Sequence, residues 1–95
     1  MSAYILVDCE VMDPVRYEAY KKLAQTAIAK HGGRYLVRGG ETSLLEGEWR
    51  PHRIVVLEFP SAKAIRRFYT SPEYQAARAQ REGAARMSMI AVEGL

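Results

Sequence analysis

Four consecutive apolar residues, Ile54-Val55-Val56-Leu57, most constrain how this chain can fold. Three of them are β-branched, which is typical of a strand. A strand with one face in water alternates apolar and polar residues, whereas an unbroken apolar run indicates cover on both faces. The chain has only 95 residues, which suits one domain over residues 1–95 and limits the core it can build alone. We therefore expect a second copy of the chain to cover part of this strand.

The N-terminal third predicts a strand followed by a helix. Residues 4–11 alternate, so that Ile5, Val7 and Cys9 share one face of the strand. Asp13 is suited to cap a helix that begins at Pro14, because proline is pre-set for the first helical position. The helix ends near Gly32, and its core-facing residues recur at three- and four-residue spacing: Tyr17, Tyr20, Leu23, Ala24, Ala27 and Ile28.

The middle of the chain predicts further strands. Residues 34–38 alternate and lead into Gly39-Gly40, a pair that permits a tight reversal. Residues 42–46 predict a short additional strand before Gly47. The apolar strand at residues 54–57 follows.

Two helices and a last strand complete the pattern. Ser61 is expected to cap a helix through Tyr69, and Ser71-Pro72 to start another that ends before Gly83. Residues 87–92 form the final strand. The order is that of a ferredoxin-like α+β fold with βαββαβ topology, in which an antiparallel sheet carries its helices on one face. The exposed face of such a sheet is where a second subunit would pack.

Composition argues against several classes of function. The net charge is +3, and the ten arginines are scattered among acids rather than gathered into a nucleic-acid-binding arm. One cysteine and two histidines cannot build a cysteine–histidine zinc cluster within one chain. No apolar run approaches the roughly 20 residues of a membrane span, and the N-terminus lacks the basic region of a signal peptide. We expect a cytoplasmic protein with no metal, no cofactor, and neither nucleic acid nor membrane as a partner.

Several segments resemble a known family. They are HGGRYLVRGG at 31–40, LLEGEW at 44–49, VVLEFPSAKA at 55–64 and YTSPEYQAARAQR at 69–81. With YEAYKKLA at 17–24, they occur in the order typical of domain of unknown function 1330, and the resemblance covers nearly the whole chain. It implies a homodimeric α+β barrel, from a superfamily that includes cofactor-independent monooxygenases and muconolactone isomerase-like enzymes. It implies no established reaction. Phe68 departs from the tryptophan common in the family.

Two arginines of the second strand are candidates for binding an anion. Arg34 and Arg38 are predicted to share a face, where their guanidinium groups could hold a carboxylate or phosphate. The alternative is that they pair with Glu46, Glu48 or Glu58. Arg38, beside the glycine turn, is the stronger candidate for ligand recognition.

A small pocket between helices and sheet is expected to be rimmed by five candidate ligand-binding residues: Tyr20, Arg38, Glu46, Tyr69 and Tyr74. Tyrosines can present hydroxyl groups to a flat ligand, although aromatic residues at helical spacing are more often core residues. Glu46 has two interpretations, a general base in an apolar cleft or a structural partner of Arg38.

Three other features have structural explanations. Trp49-Arg50-Pro51-His52 is either a lid or an interface anchor. His31 suits the negative end of the first helix dipole, and Cys9 faces the core, where a thiol is unreactive. The function most consistent with the sequence is cofactor-independent oxidation or isomerisation of a small aromatic or carboxylated metabolite. A non-catalytic ligand-binding or structural dimer is the alternative.

Overall fold

The computed structural model describes residues 1–95 and contains four strands and three helices. In chain order these are β1 (Ala3–Val11), α1 (Pro14–Lys30), β2 (Arg34–Arg38), β3 (Ile54–Phe59), α2 (Ala62–Thr70), α3 (Pro72–Arg81) and β4 (Ala85–Glu93). The strands form one antiparallel sheet in the order β2-β3-β1-β4. This is the ferredoxin-like topology that the sequence predicts.

The helices begin where the sequence places their caps. The Asp13 carboxylate accepts hydrogen bonds from the amides of Val15 and Arg16 at 3.1 and 3.2 Å, which satisfies two of the donors that a helix start leaves free. Ser71 separates α2 from α3, and its hydroxyl oxygen accepts a hydrogen bond from the Tyr74 amide at 3.2 Å. The Ser61 hydroxyl likewise accepts a hydrogen bond from the Ala64 amide at 3.1 Å, so all three predicted N-caps are confirmed.

One hydrophobic core fills the space between the sheet and the helices. The α1 stripe is buried as predicted, except for Leu23, which is 41% exposed at the flank of the stripe. The prediction that Leu23 faces the core is therefore wrong.

An aromatic cluster joins β3 to the other two helices: ring centroids are 5.0 Å apart for Phe59 and Phe68, and 4.4 Å apart for Phe68 and Tyr74.

The opposite, outer face of the sheet has no helix over it. In β3, Val55, Leu57 and Phe59 are buried, whereas Ile54 and Val56 are only partly buried. The pairing register places Val37, Val56, Leu6 and Ile90 side by side across all four strands. We call these four residues the apolar row.

Residues 39–53 connect β2 to β3 as a long loop. The predicted strand at 42–46 is wrong: these residues pair with no strand and their side chains are exposed. A short segment does not form a strand when no neighbouring backbone is available for hydrogen bonding.

A close backbone approach at Gly33 supports a test of the packing. A Cβ atom there would lie 2.6 Å from the Phe59 ring and 2.9 Å from Ile28 Cγ2. We expect Gly33→Ala to lower the free energy of unfolding by about 1–3 kcal/mol, because overpacking displaces core side chains. Urea titration of the parent and the variant measures this change in the free energy of unfolding. Gly40→Ala is the control, since nothing lies within 4 Å of its Cβ position; equal effects of the two substitutions would contradict the packing.

Candidate functional site

A cavity lies between α1, α3 and the helix-facing side of the sheet. Most of its lining is apolar or aromatic, from buried residues such as Val55, Leu57 and Phe68. Two buried tyrosines from different helices, Tyr20 and Tyr74, also line it. The enclosed space is ≈ 30 Å³, which is enough for a water molecule or two. A larger ligand can enter only if side chains at the solvent side move.

The polar part of the cavity wall is positively charged. Lys21, Arg38 and Arg53 line the cavity, and no aspartate or glutamate does. Lys21 has a counter-ion outside, at 2.9 Å from Glu18, whereas neither arginine takes part in an ion pair. The cavity therefore presents two guanidinium groups without a carboxylate partner.

The two cavity arginines are held differently. The Arg38 guanidinium stacks over the Tyr35 ring, with Cζ 4.4 Å from its centroid, and donates a 3.3 Å hydrogen bond to Gln25. Arg53 is partly buried, and its Nε has no hydrogen-bond partner. An exposed side chain such as Arg38 changes rotamer readily, so it can swing away to admit a ligand. A buried donor without an acceptor, as in Arg53, favours binding of an acceptor.

Arg34 and Arg38 are on opposite faces of the sheet, contrary to the sequence prediction. The register of β2 shifts between Tyr35 and Val37, which is a β-bulge. Because an extra residue reverses the alternation, Arg34 lies on the outer face and Arg38 on the helix-facing side. Arg34 pairs with Glu58 at 2.6 Å, as one sequence alternative proposed, and this hydrogen bonding lowers the pKa of the Glu58 carboxyl.

The structure brings together three of the five predicted site residues. Tyr20, Arg38 and Tyr74 line the cavity, whereas Glu46 lies in the exposed 39–53 loop and makes no ion pair with Arg38. Tyr69 does not line the cavity but packs on Tyr74, with ring centroids 5.5 Å apart.

Sequence reasoning missed Arg53. It lies two residues before Val55, and alternation along β3 therefore puts it on the helix-facing side with Val55 and Leu57. That spacing was a usable signal. Extending the strand pattern backwards by one residue pair would have placed a cation among apolar neighbours.

The loop residues Trp49 and His52 are attached to β1. The Trp49 indole donates a 3.2 Å hydrogen bond to the Asp8 carboxylate, and the His52 amide donates another at 2.9 Å. The bond from the His52 amide lowers the pKa of Asp8, aided by the Trp49 bond and opposed by partial desolvation. This contact fixes the C-terminal part of the loop just before Arg53.

The fold defines the class of protein: a ferredoxin-like α+β protomer with helices on one face of a four-stranded antiparallel sheet. The family model for domain of unknown function DUF1330 matches residues 2–95, and the chain belongs to that family. No curated protein matches its sequence.

Solved structures share this fold at low sequence identity. A protein of unknown function from Rhodopseudomonas palustris has 19–21% identity and TM-scores of 0.76–0.77 in two crystal structures, with 99% of this chain and 81–82% of that one covered. SnoaB, a cofactor-independent oxygenase from Streptomyces nogalater, has 12% identity and a TM-score of 0.66, with coverage of 99% and 93%. A dimeric ferredoxin-like protein of unknown function from Jannaschia sp. CCS1 has 15% identity and a TM-score of 0.65, with coverage of 99% and 100%. None of the helices of the present protein has the length and apolar character needed to cross a membrane.

Cys9 provides a test of how tightly the core beside the cavity is closed. The residue is fully buried, its Sγ is 3.6 Å from the Tyr17 hydroxyl, and burial raises the pKa of the thiol. We expect its alkylation by iodoacetamide at pH 8 to be at least about a hundredfold slower in the folded protein than in guanidinium chloride, because reaction requires opening of the core. Mass spectrometry of the single cysteine follows the reaction, and equal rates would contradict the buried position.

Proposed function

We propose that this protein is a homodimer that binds a small aromatic carboxylate in the cavity beneath each sheet. The observation that carries the proposal is the cavity lining, which is aromatic and apolar with three cations and no carboxylate. An aromatic ring matches the apolar wall, and a carboxylate matches the guanidinium groups of Arg38 and Arg53. The space as described, ≈ 30 Å³, is too small for such a ligand, so Arg38 moves when the ligand enters.

The apolar row supports the homodimer. Ile90 is 61% exposed, and Leu6 and Val37 are each 39% exposed, although the strand pairing joins all three with Val56 into one row across the outer sheet face. Polar groups beside the row already have partners: Glu58 accepts hydrogen bonds from Arg34 at 2.7 Å and Tyr4 at 3.2 Å. Such a face can be buried against its own copy while the Glu58 carboxylate keeps its hydrogen-bond partners. The dimeric Jannaschia protein of the same fold is consistent with this arrangement.

In its catalytic version, the proposal is that the protein converts the bound carboxylate without a cofactor. The fold shared with SnoaB supports this by analogy. An oxygenase of this kind uses O₂ as the oxidant and takes the electrons from its substrate, whereas an isomerase needs no co-reactant. Oxygen consumption together with mass spectrometry of the ligand distinguishes oxidation, isomerisation and simple binding.

Introducing a charged side chain into the apolar row tests whether this face forms the dimer interface. We expect the parent protein to sediment at twice the 10.7 kDa mass of the chain. Ile90→Lys should sediment as a folded monomer, because a lysine ammonium cannot be buried unpaired between two sheets. Val15→Lys, at a position 82% exposed on α1, is the control and should remain dimeric. A monomeric parent, or a dimeric Ile90→Lys variant, contradicts the proposed interface.

The ligand class is tested by calorimetric titration with benzoate and with benzamide, which has the same shape and no charge. We expect benzoate to bind the parent more tightly than benzamide. Arg53→Gln should weaken benzoate binding about tenfold or more, since hydrogen bonds to charged groups contribute about 1.5–3 kcal/mol. Arg67→Gln removes an exposed arginine on α2 outside the cavity and should change affinity less than about twofold. Equal binding of the two compounds, or no loss in Arg53→Gln, rejects an anion-selective cavity.

A further inference from the structure

Gly39 comes directly after β2 and lies beside the Arg53 side chain. Its amide donates a 2.8 Å hydrogen bond to the Ile54 carbonyl oxygen, which extends the pairing of β2 with β3 by one residue. A Cβ atom on Gly39 would lie 2.7 Å from Cζ of Arg53 and 3.2 Å from its Nη2, and it would also collide with Nη1. The Arg53 guanidinium group therefore occupies the space that any side chain at position 39 would need.

The main chain around Arg53 is fixed against β1. The carbonyl oxygen of Arg53 accepts a 2.8 Å hydrogen bond from the Cys9 amide, and the amide of the preceding residue, His52, is bonded to the Asp8 carboxylate at 2.9 Å. Moving this backbone would break hydrogen bonds, whereas a long side chain can turn to another staggered rotamer. A group added at position 39 would therefore displace the guanidinium rather than the strand.

The position of this guanidinium decides whether the cavity holds a fixed cation. Arg38 is exposed, already bonded to Gln25, and has to move aside when a ligand enters. Arg53 is partly buried, lines the cavity and has an Nε without a partner. Of the two arginines, Arg53 is thus the one that can stay in the wall and meet the ligand carboxylate.

Two properties of glycine are used at position 39, and only one of them concerns Arg53. The first is the positive φ of 71°, which glycine adopts without the steric cost that a Cβ atom imposes. Gly47, in the same loop, has a φ of 86° but has nothing within 4 Å of its Cβ position. Backbone conformation accounts for both glycines, whereas the close approach of a cavity residue distinguishes Gly39.

We infer that Gly39 is a positioning residue: because it has no side chain, the Arg53 guanidinium can lie in the cavity wall, and the preference of the cavity for an anion depends on position 39. The identity of the ligand rests on the proposed function, whereas the placement of Arg53 by Gly39 does not. Any residue with a Cβ atom at position 39 turns the guanidinium away from the cavity and leaves its apolar lining in place.

The first test compares benzoate with benzamide in calorimetric titrations of Gly39→Ala. We expect benzoate binding to weaken about tenfold, as in Arg53→Gln, because a hydrogen bond to a charged group is lost. Benzamide binding should stay within about twofold of the parent, whereas a general disturbance of the cavity would weaken both compounds. Gly47→Ala is the matched control, since it carries the same positive-φ strain in open space, and it should bind both compounds within about twofold of the parent. Unchanged benzoate binding in Gly39→Ala, or an equal loss in Gly47→Ala, overturns the inference.

The double variant shows whether the two residues act together. Gly39→Ala combined with Arg53→Gln should bind benzoate as Arg53→Gln alone does, because the glycine acts only through the arginine. Losses that multiply would mean that Gly39 acts on the cavity by another route, and would overturn its role in placing Arg53.

The second test needs no ligand. In ¹⁵N NMR spectra, the Nε–H signal of Arg53 is identified by its loss in Arg53→Gln. Because this Nε is buried, we expect its hydrogen to exchange with water at least about tenfold more slowly than that of the exposed Arg67. The protection should be lost in Gly39→Ala and kept in Gly47→Ala. Protection that persists in Gly39→Ala contradicts the inference. Failure of the parent to prefer benzoate would reject the proposed ligand, while the exchange rates still decide the placement of Arg53.

Circular dichroism and urea titration establish that each variant is folded before either test. If Gly39→Ala does not fold, Gly39→Asn takes its place with Gly47→Asn as its control, because asparagine adopts positive φ more readily than alanine and still carries a Cβ atom. The expected results and the contradicting ones are the same for this pair.

Discussion

The three helices all pack on one face of a four-stranded sheet, and most other properties of the protein depend on this. A four-stranded sheet has two faces, and a chain of 95 residues has helices for only one. On the covered side, the aromatic residues of α1, α2 and α3 leave a narrow cavity against the strands. On the outer side, the apolar row stays in contact with solvent. The proposed ligand cavity and the proposed dimer interface thus lie on different sides of the same sheet.

Local sequence signals predicted the elements well, because each depends on neighbouring residues. The caps at Asp13, Ser61 and Ser71 and the alternation in β1 involve interactions over a few positions, and the structure confirms them. The strand at 42–46 failed for the opposite reason, since a strand needs a partner whose presence the local pattern does not contain. Leu23 failed because a three- and four-residue spacing also includes the flanks of a helical stripe.

The candidate site was less predictable, since it depends on register. Arg38 lines the cavity, but the expectation that it shares a face with Arg34 assumes regular pleating, and the bulge in β2 breaks that assumption. Glu46 is expected from the sequence to be a general base in an apolar cleft or the partner of Arg38, whereas the structure places it in the exposed 39–53 loop. Arg53 was overlooked because it precedes the apolar run rather than belonging to it. Sequence spacing located the residues on elements, and only the paired backbone determined the side of the sheet.

The bulge at residue 36 has a further consequence for how such a protein can diverge. In a regular strand of five residues, the first and last side chains would face the same environment, and a substitution at one would constrain the other. Here Arg34 belongs to the outer surface and Arg38 to the cavity. Descendants of this chain can change the side chain on the outer surface without changing the one that lines the cavity, and can change the cavity side chain without changing the outer one. A single inserted residue therefore lets the proposed dimer face and the proposed ligand cavity diverge independently.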